Sequence, residues 1–254
     1  MEENSVENKD LSLPKETVGV NGAQKQIAGA IIIAGVVIAG AILLKGNPTT
    51  IVDSKGKRLT TDAKVFNQCL DSGKYAKAVA DSKTEGSVAG VQGTPKGFIL
   101  KEGQVVSTID GAEPTEMIKQ KIDKALTENS SVIKTIKLAP VISSDFILSG
   151  GSGATVTVLE YGDFQCPFCG RFFKETEKTI IDGYLKDGKI NFVYRDFAFL
   201  GPESIRSAEA ARCAGEQNKF WEYHDYLFNH QNGENQGNFS DIYLKSFAGE
   251  LKLK

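Results

Sequence analysis

The sequence predicts an α/β fold carried behind one N-terminal transmembrane helix. Three features of its patterning lead there: an apolar run at residues 27–44, a pair of helical stretches with a β-hairpin across 62–111, and a β-branched strand at 154–162 that turns directly into a long helix and a further strand. At 254 residues the chain can bury a sizeable core without metals. Its 30 basic and 32 acidic residues leave a net charge of −2, and no basic stripe could neutralise a row of phosphates, so nucleic acid is not an expected partner.

Residues 1–26 are polar, contain Pro14 and Gly19, show no sustained period and read as a disordered tail. The run IAGAIIIAGVVIAGAILL at 27–44 carries no charged or polar side chain, and at 1.5 Å per residue it reaches about 27 Å, close to a bilayer core of roughly 30 Å. A spanning helix is expected. A cleaved signal peptide would have a shorter apolar region, and a buried core helix would not be apolar on every face. The flanking charge opposes the expected sidedness, because Lys25 precedes the run whereas Lys45, Lys55, Lys57 and Arg58 follow it. The thiol chemistry developed below nevertheless calls for an oxidising compartment, so the expected location is a single-pass cell-membrane protein with its catalytic domain on the extracytoplasmic side.

A polar tether, 45–59, leads to two helical stretches, DAKVFNQCLDSG and KYAKAVADSK, each with apolar residues three and four apart. KGFILKEG and QVVSTIDG then form a hairpin turning at Glu102-Gly103. Glu113-Pro114 starts another helix, EMIKQKIDKAL, and residues 128–150 read as a connector beside the Ser/Gly run SGGSG. In the strand ATVTVLEYG, Val156 and Val158 share one face while Thr155, Thr157 and Leu159 share the other. The strand KINFVYRDF follows, and 203–252 reads as helical, with Trp221, Tyr223, Tyr226, Leu227 and Phe228 as core material.

Cys166-Pro167-Phe168-Cys169 stands where the 154–162 strand gives way to a helix. The first sulfur lies at the helix N-terminus, where orphan amides and the helix dipole favour a thiolate, so Cys166 is the expected nucleophile. Pro167 suits the first helical turn, where a missing amide hydrogen costs nothing, and the more shielded Cys169 is the expected resolving thiol. The same spacing is half of a zinc site, but Cys69 and Cys213 are isolated, and His224 and His230 lie six apart in an aromatic helical stretch. Four cysteines can pair as two disulfides outside the cytosol.

VTVLEYGDFQCPFCGRF closely resembles the opening strand and active-site helix of DsbA-like thioredoxin-fold oxidoreductases, and FVYRDFAFLGPESIRSAEAARCAGEQNKFWEYHDYLF continues the likeness into that family's second strand and inserted helical subdomain. Ala198 stands where many relatives have proline. The stretch from DAKVFNQCLDSG to EMIKQKIDKAL resembles the family's late helices, Gly-Thr-Pro loop, terminal hairpin and last helix, yet it comes first in this chain. The resemblance therefore implies a thioredoxin fold with an inserted helical subdomain in circularly permuted order: the family's order would run 151–254 and then 60–127, and here the original ends are joined through 128–150. The rival arrangement is two half-domains completed by exchange between chains.

The resemblance further implies that Pro95, after Thr94, is cis and faces the cysteines, that Glu160 is the buried acid that moves protons to or from Cys169, and that Cys69 and Cys213 form a structural disulfide. It implies donation of the Cys166–Cys169 disulfide to reduced or unfolded extracytoplasmic proteins, with reoxidation by a quinone-linked membrane partner and no cofactor. Phe168 replaces the histidine of strongly oxidising relatives, so a reductase or isomerase stays open, as does a redox-inactive, membrane-displayed binding module.

Overall fold

The computed structural model describes residues 50–52, 56, 58–60, 62–128 and 130–254. The expected tail at 1–26 and spanning helix at 27–44 lie outside the described residues. Among the described residues no helix is long and apolar enough to cross a membrane. Within the expected tether, β1 (Thr50–Val52) and β2 (Arg58–Thr60) pair antiparallel, and Leu59 is buried.

The described residues form one compact unit. Helices α1 (Lys64–Asp71) and α2 (Ala76–Val88) lead into the hairpin β3 (Lys96–Lys101) and β4 (Gln104–Asp110), which turns at Glu102 and Gly103, both at positive φ. Helix α3 (Thr115–Thr127) starts after Pro114. A three-residue strand, β5 (Phe146–Leu148), lies inside the expected connector; so short a piece on a sheet edge shows no readable alternation. β6 (Val156–Gly162) precedes the active-site helix, which is not uniform: α4 (Pro167–Phe172) passes into a π-helical turn (Phe173–Glu177), then α5 (Lys178–Ile180) and a second π turn (Ile181–Leu185). β7 (Ile190–Asp196) is followed by α6 (Pro202–Gly215), α7 (Phe220–Asn229) and α8 (Asp241–Glu250), so the expected helical stretch at 203–252 is three helices separated by irregular chain.

The sheet order β4-β3-β6-β7-β5 makes a mixed α/β layer, with β6 parallel to β7 and antiparallel to β3. Both faces of β6 are covered, which is why its apolar and β-branched residues run continuously rather than alternating. On one face Val156 and Val158 meet Ile118 and Ile122 of α3 and Ile180 of the long helical run. On the other, Leu159 and Tyr161 meet Phe98 and Phe197, with Ile133, Ile136 and Leu138 of the connector closing over them. A third cluster gathers α1, α6, α7 and α8 around Phe66, Tyr223, Leu227 and Phe247.

The connector is bolted to the sheet by a nearly buried ion pair. Arg195 Nε and Nη2 donate to the two carboxylate oxygens of Asp145 at 2.9 and 2.8 Å, and its remaining donors reach the carbonyls of Ala139 and Pro140 and the Tyr161 hydroxyl. With side chains only 5% and 13% exposed, removing one partner strands a buried charge. Asp145→Ala is expected to cost about 3–5 kcal/mol in chemical denaturation. A loss below about 1 kcal/mol would mean that the connector contributes little to the fold.

Candidate active site

The register of the sheet builds the site from two distant stretches of chain. Because β3 runs antiparallel to β6 with Lys96 opposite Tyr161, the residues just before β3 lie beside those just after β6. Thr94 and Pro95, joined by a cis peptide bond, thereby meet Cys166, whose Sγ donates to the Thr94 carbonyl at 3.2 Å across 72 residues of sequence. A cavity of about 320 Å³ opens alongside, lined by Gln92, Thr94, Pro95, Lys96 and Asp110 among others.

Cys166 is the N-cap of α4 and Pro167 occupies its first turn. Cys166 and Cys169 are free thiols, 4% and 0% exposed. The Cys166 thiol is pulled down from 9.0 to about 6: the Cys169 thiol, then Thr94 and the amides of Cys169 and Phe168 stabilise the thiolate, and together they outweigh its burial. Cys169 moves the opposite way, pushed well up by burial, by its hydrogen bond to Cys166 and by the nearby charge of Glu160. Phe168 is 55% exposed, stacked beneath the Arg171 guanidinium, so the residue between the cysteines faces solvent.

Glu160 shares its face of β6 with Val156 and Val158, as the alternation requires, and is 2% exposed. Burial first, and then the negative charge of Cys166, push its carboxyl up to about 8, so at neutral pH it holds a proton beneath the cysteines. Cys69 and Cys213 are bonded to each other, S–S 2.04 Å, tying α1 to α6. Neither can complete a zinc site with the Cys-x-x-Cys pair. His224 is fully buried, while His230 stacks on Tyr226 and sets Nδ1 2.8 Å from that residue's carbonyl oxygen.

Three supporting residues escaped the sequence reading. Gln231, in the loop after α7, donates through Nε2 to the carbonyls of Phe164 and Cys166 at 2.7 and 3.1 Å, clamping the turn that carries the nucleophile. Gly170 makes room for that clamp, since a Cβ there would lie 2.0 Å from Gln231 Oε1. Neither leaves a local signal, being set by contacts across more than 60 residues. Asp163 could have been found: an Asp directly after a strand commonly bonds its own backbone two residues on. It accepts from the Gln165 amide at 2.9 Å and also from the amides of Phe199 and Leu200.

Residues 144–252 match the family model described as Thioredoxin. A Na(+)/H(+) antiporter NhaA 1 of Salinispora arenicola is 38% identical over 118 residues, 46% of this chain and 17% of that protein. Probable disulfide bond formation protein D of Bacillus cereus is 28% identical over 103 residues, 40% of this chain and 48% of the other. Disulfide bond formation protein D of Bacillus subtilis is 30% identical over 99 residues, 38% of this chain and 41% of the other. This chain spans less than half the length of each of these curated relatives. Among solved structures, BdbD from Bacillus subtilis in its oxidised form aligns at 26% identity over 44% of this chain and 70% of that one, with a TM-score of 0.36. The mixed α/β domain is thioredoxin-like, and its relatives include proteins named for disulfide formation.

Proposed function

We propose that this chain, whose likeness is to DsbA-like thiol:disulfide oxidoreductases, donates the Cys166–Cys169 disulfide to reduced, partly unfolded proteins outside the cytoplasm. The observation that carries the reading is the opposed pair of thiols beside cis-Pro95: Cys166 drawn down to about 6 at a helix N-terminus, and Cys169 pushed up above Glu160.

A substrate thiolate attacks Cys166 Sγ, the Cys166–Cys169 bond breaks, and Cys169 leaves and takes a proton from Glu160. The substrate's second thiolate then attacks the substrate sulfur of the mixed disulfide, closing the substrate disulfide and releasing Cys166 as a thiolate. Two electrons pass from substrate to the cysteine pair. Stabilising the departing Cys166 thiolate favours the dithiol form and moves the couple toward the oxidising side. The cavity lined by Gln92, Thr94, Pro95 and Lys96 beside Cys166 suits an extended substrate segment.

The proposal includes an anchor at 27–44, a catalytic domain on the extracytoplasmic side and a quinone-linked membrane partner that restores the disulfide. It also includes the permuted order with its inserted helical subdomain. The Phe66 amide donates to the Lys254 carbonyl at 2.7 Å, which sets residue 254 beside α1 and supports an ancestral order in which 60–127 followed it. The test is the reduction potential of the cysteine pair in the full chain, by glutathione equilibration and thiol trapping. A value near roughly −120 mV is expected for a dedicated oxidase, whereas one near roughly −270 mV would replace that reading with a reductase or isomerase.

A further inference from the structure

Below the cysteines lies a seam of buried polar atoms, most of which thiol exchange at the surface does not need. Glu160 Oε2, Tyr194 Oη, His224 Nε2 and Glu177 Oε2 are all buried, and none has a hydrogen-bond partner among the described residues. Buried polar atoms are nearly always satisfied, so four orphans in one region call for an explanation. Tyr194 stands in register with Glu160 on the neighbouring strand, and its ring packs 4.9 Å from that of His224. His224 Nε2 in turn lies 3.9 Å from Glu177 Oε2.

Glu177 closes the first π-helical turn, a widened ring of the kind that recurs at functional sites. A cavity of about 410 Å³ is lined by Glu177, Asp225, Phe173, Ile181, Asp182 and Asn229, together with Lys174 and Lys178. Asp225 is exposed and its Oδ1 lies 3.0 Å from His224 Nδ1. The seam thus has the Cys169 region at one end and, at the other, a cavity bordered by the exposed Asp225.

We infer that Glu177 is a positioning residue for proton traffic, passing protons between Glu160 beneath Cys169 and the cavity beside Asp225. This rests on the disulfide-exchange reading. When Cys169 leaves as a thiolate, Glu160 gives up its proton, protonated Glu177 returns one to Glu160, and the Glu177 carboxylate takes one from hydronium or a buffer acid in the cavity. Each transfer runs in reverse when Cys169 is the attacking group. The groups facing Glu177 are Glu160 from β6, His224 and Asp225 from α7, and Lys174, Lys178 and Asp182 from its own helical run. Burial, then the charges of Glu160 and Asp225, push the Glu177 carboxyl well above the usual range, while burial pushes His224 down and keeps it neutral.

The experiment is the pH profile of reduction of the Cys166–Cys169 disulfide by dithiothreitol, for the wild-type chain and for Glu177→Gln, with and without imidazole. The variant is expected to react roughly tenfold more slowly near neutral pH, less than the 10²–10⁴ attached to a group that touches the reacting atom. Imidazole, small enough for the cavity, is expected to restore the variant's rate in proportion to its concentration and to leave wild type unchanged. The alkylation profile of Cys166 should stay where it is.

A variant with altered stability but a wild-type pH profile and no imidazole response would overturn the relay while leaving the exchange reading intact. A wild-type chain that exchanges no disulfide would instead sink the reading, and the relay with it. Should Glu177→Gln not fold, isotope-edited infrared titration of the Glu177 carboxyl can be followed in Glu160→Gln. The relay requires that this titration move, and an unmoved titration overturns it.

Discussion

Cys166→Ser is expected to lower disulfide exchange with a reduced peptide by at least about 10³-fold, because serine offers no sulfur through which a mixed disulfide can form. Cys169→Ser should behave differently. It keeps the nucleophile but removes the resolving thiol, so a covalent adduct with the substrate should accumulate and be seen on a non-reducing gel. In the reduced wild-type chain, iodoacetamide should label Cys166 with a half-point near pH 6, while Cys169 stays unlabelled until far higher pH.

The sign of the accompanying stability change follows from the same depression. A thiol whose folded pKa lies near 6, against 9.0 for an unperturbed one, stabilises the reduced fold fully above about pH 9, and that contribution is lost as the pH falls through 6. Glu160 acts oppositely: raised from 4.5 to about 8, its contribution is present below pH 4.5 and disappears as the pH rises through 8. Equal labelling of both cysteines at pH 7 would contradict the division of roles between them.

Loss of the Cys69–Cys213 disulfide should destabilise the fold substantially. The two residues are 144 apart in sequence, and both lie in the helical cluster. A cross-link closing so long a loop removes much of the freedom of the unfolded chain, and losing a native one typically costs 2–5 kcal/mol, so the double variant Cys69→Ala/Cys213→Ala should melt roughly 10 °C lower. Calorimetry on the full chain decides this, and an unchanged melting temperature would mean that α1 and α6 are held by packing alone. Exchange at Cys166 should survive wherever the variant remains folded, since the two disulfide sites share no sulfur.

What was legible from residue order was local. The β-branched run of β6, the proline in the first turn of α4 and the position of Cys166 at that helix's start all depend on neighbours within a few residues, and short-range sterics and backbone hydrogen bonding determine them. The long helix was legible as a helix but its two π turns were not, because a one-residue widening leaves the spacing of apolar residues almost untouched. The segment 128–150 was legible only as a connector, yet Ile133, Ile136 and Leu138 cover a sheet face that exists only once β3, β6 and β7 have paired.

The tertiary fold settled everything that depends on bringing distant segments together. The antiparallel register of β3 on β6 carries Thr94 to Cys166, and packing across dozens of residues brings Gln231 over Gly170 and Glu177 to His224. The thiol chemistry is written in four consecutive residues, but the values at which those thiols titrate are not, because burial and through-space charge are properties of the assembled core.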